Sequence, residues 1–300
     1  MRPPSSKKSF TLVSCYIGSG VMVLFIVLML AAFLIHSLPA WRGGVWDLLA
    51  GTEWYYRSEK FGMLSMIYGS AVVSLIAILF AAPLGIGAAV YTAEIAGHRW
   101  RMIVKGIIEL LAGVPSVIYG ILGILFLREW VRRGFDLNTG DTLLTAGLLV
   151  GVMILPTVVT LCDDALRAVP RIQRDAARGL GMTRSEMIFS VLVPQAGSGM
   201  MAAVLLALGR GVGETIAVML VVGRQDNQLP ASIVDFDKIL EPGQTLTSKL
   251  GGSEVNIAFG DPGHWGAITA LALVLLLGVM VITVLGRFLV HYAEKRGGVS

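Results

Sequence analysis

Six apolar stretches divide this 300-residue chain, at about residues 11–35, 65–92, 106–127, 142–162, 197–222 and 266–290. Each supplies the roughly 20 residues needed to cross a hydrocarbon core about 30 Å thick. Lipid offers a backbone no hydrogen-bond partners, so spans of this length fold as helices. Composition agrees, with 55% of residues hydrophobic and 15% charged, against about 25% charged in an average soluble domain. The sequence therefore predicts an all-α membrane protein with six transmembrane helices. Its 36 glycines follow no repeating period and suit helices that pack at close range. A basic segment, "MRPPSSKKSF", precedes the first stretch as it would in a secretory leader. That stretch is about 25 residues long, too long for a leader's apolar region, and reads as a retained span.

Loop charge sets the expected orientation. With the N-terminus inside, the inner segments hold fourteen Lys and Arg and the outer ones nine, while twelve acidic residues fall outside and six inside. This bias places both termini in the cytoplasm. It also accounts for a sequence pI near 9.2 without invoking nucleic acid. "REWVRRGFD" runs against the trend, because Arg128, Arg132 and Arg133 fall on the outer side; charges at a span end can snorkel to the interface. Cys15 and Cys162 lie in or beside apolar segments and are expected to be small buried hydrophobes. The four histidines show no metal-ligand spacing, and no metal site is expected.

Two loops exceed what a connector needs. The outer one, 223–265, is rich in Gly, Pro and Asp and is expected to form an ordered cap or a docking surface. The inner one reads "DDALRAVPRIQRDAARGLGMTRSEMIFSVLVP" over 163–194. Pro170 suits the start of a helix running through Arg178, which Gly179 and Gly181 interrupt. Thr183 followed by Glu186 forms a capping box ahead of an apolar run. Two short helices joined at a glycine bend follow, the first thin at Ala176 and Ala177 and decorated by Arg171, Arg174 and Arg178.

The stretch "RDAARGLGMTRSEMIFSVLVP" resembles the EAA loop of ABC-importer permeases, through Asp175-Ala176-Ala177, Gly181 and Leu192-Val193-Pro194. Asp175 stands where the family has Glu, which keeps the charge. Four further stretches resemble the PstC-type permeases of phosphate ABC importers: "LLAGTEWYYRSEKFGMLSMIYGSAVVSLIAILFAAPLGIGAAVYTAEIA", "IIELLAGVPSVIYGILGILFL", "GRGVGETIAVMLVVG" and "PGQTLTSKL". The resemblance runs in order from about residue 45 to 290. PstA-type permeases share the EAA loop and the Pro-Ser element, whereas "GTEW" and "TLTS" favour the PstC type. A MetI-like helical core is implied, with 163–194 as its coupling loop to an ATPase. So are a PstA-like permease partner, a pair of PstB-like ATPases inside and a PstS-like binding protein outside. The expected organisation is a tail, first span and outer loop over 1–64, a permease domain over 65–292 and a cytoplasmic tail over 293–300. The resemblance places Asp175, Ala176, Ala177, Gly181 and Pro194 in ATPase coupling. No GxxxxGK[ST] loop occurs in the chain, so ATP and Mg belong on a separate polypeptide and this subunit is not expected to be an enzyme or to bind a cofactor.

Arg210 and Glu214 stand inside an apolar run, "LALGRGVGETIAVML". A helix starting near Gly197 carries Arg210 about 20 Å inward at 1.5 Å per residue, where exposure of Arg to lipid costs roughly 2.5–3.5 kcal/mol. On a continuous helix Glu214, four residues on, shares its face. Two readings follow: a salt bridge that neutralises both charges, or a translocation path in which the Arg210 fork meets phosphate. The glycines around Arg210 lack the strand that a nucleotide loop requires. Glu109 is expected to reach the interface or to pair with Lys105. Pro115 and Ser116 are expected to bend the third span, which could serve a gate, while Pro83 and Pro156 suggest ordinary kinks. Alternative assignments are a PstA-like permease, a permease for another oxyanion such as sulfate, or an ion-coupled secondary transporter; internal symmetry would favour the last, and none is evident.

Overall fold

The computed structural model describes residues 5–230 and 236–296. Helix α1 (Ser5–Trp41) leads through α2 (Val45–Ala50) to a hairpin of β1 (Trp54–Tyr55) and β2 (Lys60–Phe61), paired antiparallel with Trp54 opposite Phe61. Helix α3 (Leu64–Val90) ends in a π turn over Tyr91–Ile95, and α4 (His98–Ala112) follows. Next come α5 (Ser116–Leu122), a π turn over Gly123–Leu127 and α6 (Arg128–Gly134). Then α7 (Leu143–Ala168) reaches the short α8 (Arg171–Gly179) and α9 (Arg184–Met187), and a π turn over Ile188–Leu192 opens α10 (Val193–Val212). After α11 (Ile216–Val221) the chain forms a 3-10 turn (Phe236–Leu240), α12 (Leu246–Leu250) and α13 (Glu254–Ala258), and closes with α14 (Pro262–Arg296).

Among the described residues five helices are long and apolar enough to cross a membrane, and a sixth crossing results if the pair 98–112 and 116–134 counts as one. That pair is bent by 96°. The straight third span expected over 106–127 is thus two segments, because Pro115 cannot donate to the ladder and restricts the residue before it. Pro83 and Pro156 lie within the continuous helices α3 and α7.

The centre of the bundle is α7 packed along α3 and α10. Small residues make the approach possible. A methyl group on Gly147 would lie 2.6 Å from Ile76 Cβ, and one on Gly85 would lie 2.6 Å from Val158 Cγ1. Ala77, Ala81, Ala146, Val150 and Val158 fill the same seam, all buried. Helix α1 packs on α14 but leaves large apolar side chains such as Leu24, Phe25 and Leu28 exposed, a surface suited to lipid. Cys162 is buried as expected; Cys15, on the bare part of α1, is exposed.

A second apolar cluster, including Leu48, Trp54, Met63, Met66, Leu246 and Leu271, sits at the end of the bundle that carries the 223–265 loop. The described part of the loop expected to form a cap, 223–230 and 236–265, is ordered. Gly223 bridges Gly243, Thr245 and Ser248 form a capping box on α12, and Asn227 Oδ1 accepts from the Trp54 amide at 2.6 Å. Lys249, 3% exposed, anchors the loop through ion pairs with Asp226 at 2.6 Å and with Glu254. Glu254 also accepts from Trp54 Nε1 at 2.6 Å and meets His264 Nε2 at 2.8 Å. Burial holds the Asp226 carboxyl above its ordinary range, although Lys249 opposes it. Burial pushes Glu254 the same way, but its bonds from Lys249, Trp54 and His264 outweigh burial and leave it lowered.

Candidate functional site: a broken helix at Arg210 and a helical knob at 163–194

The fifth expected span, 197–222, is not one helix. Helix α10 stops at Val212, residues 213–215 interrupt it, and α11 resumes at Ile216. The same-face argument for Arg210 and Glu214 therefore fails, since the two residues stand on either side of the break. No ion pair joins them among the described residues; Glu214 Oε1 instead accepts from the Ala217 amide at 3.3 Å, capping α11. Arg210 is exposed and donates through Nη1 to Thr157 Oγ1 at 3.2 Å. Thr157 is 14 residues into α7, about 21 Å from its start at 1.5 Å per residue. The guanidinium thus sits near the middle of the central helix.

The bend at Pro115 and Ser116 opens the helix that carries Tyr119. Pro115 caps α5 and Ser116 opens it. Tyr119 of α5 is within electrostatic reach of Arg210, and its hydroxyl donates across the bend to the Leu111 carbonyl at 2.9 Å. Helix α5 meets α11 through Gly120, where a methyl group would lie 2.5 Å from Leu220 Cδ1 and 3.2 Å from Ala217 Cα. Two half-helices therefore meet at the depth of Arg210, an arrangement that satisfies backbone only where it is buried in protein or lines a wet cavity. Lys105 pairs with Asp163 at 3.5 Å rather than with Glu109, and Glu109 is exposed on α4.

At the opposite end from the 223–265 loop, α8 and α9 form the two-helix knob. Gly181 turns the chain with φ +77°, a left-handed conformation that favours glycine. Thr183 and Glu186 close the capping box in both directions. Asp175 is exposed and lies 3.6 Å from Arg178; Pro194 is exposed in the first turn of α10. Ala176 is exposed but Ala177 is buried, so the thin face expected for both is split, one alanine outward and one inward. Ile172 and Leu180 are also exposed, giving the knob an apolar tip.

Arg174 does not decorate the surface. It pairs with Glu94 at 2.5 Å and donates to the Leu166 carbonyl at 2.7 Å. Glu94 and Asp163 escaped the sequence reading: Arg174 lies 80 positions from Glu94, and although Arg167 is only four residues from Asp163, its other partners Lys105 and Thr92 are far along the chain. Asp163, buried, is held by Arg167 in a two-pronged contact at 2.7 Å and by Lys105, and lies 3.4 Å from Thr92 Oγ1.

Residues 81–296 match the family described as binding-protein-dependent transport system inner membrane component. The chain is 32% identical to the phosphate transport system permease protein PstC of Mesorhizobium japonicum, over 84% of this chain and 80% of that protein. It is 35% identical to the probable ABC transporter permease protein YqgH of Bacillus subtilis, over 77% and 72% of the two chains. The fold is shared with a methionine ABC transporter solved in inward-facing conformations, with TM-score 0.57, 18% identity and coverage of 77% of this chain and 94% of that one. It is shared also with a bacterial alginate ABC transporter bound to its periplasmic protein, with TM-score 0.62, 14% identity and coverage of 97% and 96%. Helical architecture, half-helix break and two-helix knob thus accompany sequence similarity over most of the chain, which belongs to the family of binding-protein-dependent inner-membrane transport components as a permease subunit of an ABC importer.

Proposed function

We propose that this permease carries phosphate, or a phosphate-like oxyanion, past Arg210. The observation that supports the reading is the exposed guanidinium at mid-helix depth, held by one hydroxyl at 3.2 Å and by no carboxylate among the described residues. Arg offers a planar fork that matches a tetrahedral oxyanion, and a single neutral partner leaves most of its donors available. PstC proteins from several bacteria resemble the chain at about this level over most of its length, which adds support. Glu214, turned to cap α11, leaves the positive charge uncompensated. The bend at Pro115 and Ser116, which the Tyr119 hydroxyl spans to the Leu111 carbonyl, is suited to serve as the gate.

In this reading the α8–α9 knob docks into a PstB-like ATPase, with Asp175, Ala176, Gly181, the exposed Pro194 and the apolar tip at the coupling surface; Ala177, buried, seats the knob against the apolar core. A PstA-like permease covers the exposed apolar row that runs from Val117, Ile118 and Ile121 of α5 to Leu125 of the π turn after it. A PstS-like protein delivers the anion at the 223–265 end, both termini lie in the cytoplasm, and ATP and Mg reside on the ATPase, so this chain itself catalyses nothing. The deciding experiment is phosphate uptake by Arg210→Ala and Arg210→Lys at matched membrane abundance. Uptake should fall in both, more steeply in Arg210→Ala; wild-type rates in both variants would refute the role of Arg210, uptake of sulfate but not phosphate by the wild type would rule out phosphate in favour of the other oxyanion, and uptake of neither would refute the oxyanion reading.

A further inference from the structure

We propose that Glu94 is the joint through which the α8–α9 knob moves the membrane helices. It is a positioning residue rather than one that touches substrate. The inference rests on the reading of the knob as the docking point for an ATPase, and deepens it by naming where thrust leaves the knob. Both helices of the knob hold this one residue. Arg174 of α8 pairs with the Glu94 carboxylate at 2.5 Å, and Arg184 of α9 donates to the Glu94 carbonyl. The Arg174 side chain is 17% exposed and that of Glu94 8%, so water screens the pair little and breaking one partner leaves a buried charge alone.

Glu94 lies in the π turn Tyr91–Ile95, between α3 and α4. A π turn carries its bond from residue i to i+5, here Ala96 to the Tyr91 carbonyl at 2.8 Å, and such turns gather at functional sites in helices. The same junction is tied to α7 twice, through Arg174 on the Leu166 carbonyl and through Thr92 beside Asp163. Asp163 in turn holds Lys105 of α4. A displacement of the knob is therefore delivered to the end of α3 and the start of α4. Helix α4 leads to the 96° bend, and beyond the bend stands Tyr119, within electrostatic reach of Arg210 on α10. The chain offers a continuous mechanical route from knob to charge, and Glu94 is where it enters the spans.

The test uses the complete importer in proteoliposomes, with substrate uptake and ATP hydrolysis measured together. Glu94→Gln keeps the side chain's size and the carbonyl contact but removes the charge. The expected result is retained ATPase binding and hydrolysis with uptake per ATP reduced roughly tenfold, within the 5–150-fold range of typical coupling energies. A purely structural role would lower uptake and hydrolysis in equal proportion and leave the ratio unchanged, which would overturn the proposal. Glu94→Gln combined with Arg174→Gln should be no worse than either single variant, because the two act as one unit; multiplicative losses would overturn it as well. A substrate-independent readout separates this joint from the phosphate reading: with Cys15 and Cys162 replaced, spin labels on Leu110→Cys of α4 and Leu206→Cys of α10, both exposed, should change separation on ATP addition in the wild-type background and stay fixed with Glu94→Gln. Absence of phosphate uptake in the wild type with that movement intact would refute the substrate alone. Equal movement in both backgrounds would refute the joint.

Discussion

Lys249→Met tests the anchoring of the 223–265 loop. The substitution keeps the stem and its packing but removes an ammonium that is 3% exposed and paired with Asp226 and Glu254, whose side chains are 28% and 19% exposed. Breaking a buried pair from one side costs about 3–5 kcal/mol; the partial exposure of both carboxylates places this case near 3 kcal/mol. Loss of the ammonium 5.0 Å from the Trp54 ring adds to the same direction. At roughly 2–4 °C per kcal/mol, the variant should melt about 6–12 °C below wild type at pH 7.5 in detergent, read by circular dichroism. The pH dependence carries the sharper sign. In the wild type Glu254 is lowered, so the stability it contributes is lost as pH falls through its folded value. Without Lys249 both carboxyls rise, the folded state binds more protons than the unfolded, and stability grows as pH falls. The gap should therefore narrow by pH 5. A melting point within about 2 °C of wild type at pH 7.5, or a gap that does not change between pH 7.5 and 5, would show that the network does not anchor the loop.

Gly147→Ala forces a methyl to within 2.6 Å of Ile76 Cβ and 3.2 Å of the Val73 carbonyl, so overpacking should cost about 1–3 kcal/mol and lower the folded fraction seen by size-exclusion chromatography. Gly197→Ala, with open space around the new methyl, should leave that fraction unchanged. Gly181→Ala meets no atom within 4 Å but is held at φ +77°, so it should lose about 1 kcal/mol through backbone strain. Its effect should appear as weaker co-purification of the ATPase with little change in melting point; unchanged co-purification would remove the bend from the contact.

Local signals in the sequence were legible where the chemistry is local. The capping box at Thr183 and Glu186 forms between residues three apart, and the glycine bend before it requires only a backbone preference. Pro115 marked a bend for the same reason, although its 96° turn depends on how α4 and α5 are held by their neighbours. The Arg210–Glu214 pairing failed because it assumed an unbroken helix. Gly209, Gly211 and Gly213 weaken the ladder, and Glu214 found an amide three residues ahead instead of a guanidinium four behind. Glu94 and Lys249 remained hidden for a different reason: Glu94 meets Arg174 80 positions later and Lys249 meets Asp226 23 positions earlier, and a lone charge in sequence does not announce a distant partner.

The interruption between α10 and α11 also bears on the membrane as an electrical insulator. The closing carbonyls of one helix and the opening amides of the next are polar groups that hydrocarbon cannot satisfy; Glu214 takes the Ala217 amide and gives its own to the Gly211 carbonyl, and any group left over calls for water or a second protein to reach it. Where water does so, the dry zone shrinks from the full thickness of about 30 Å to a short collar, and the voltage falls across that collar alone. Driving a doubly charged anion inward against 100 mV takes about 4.6 kcal/mol, at about 2.3 kcal/mol per charge. A fixed positive charge at Arg210, two residues before the end of α10, would offset part of that work for an anion passing the break.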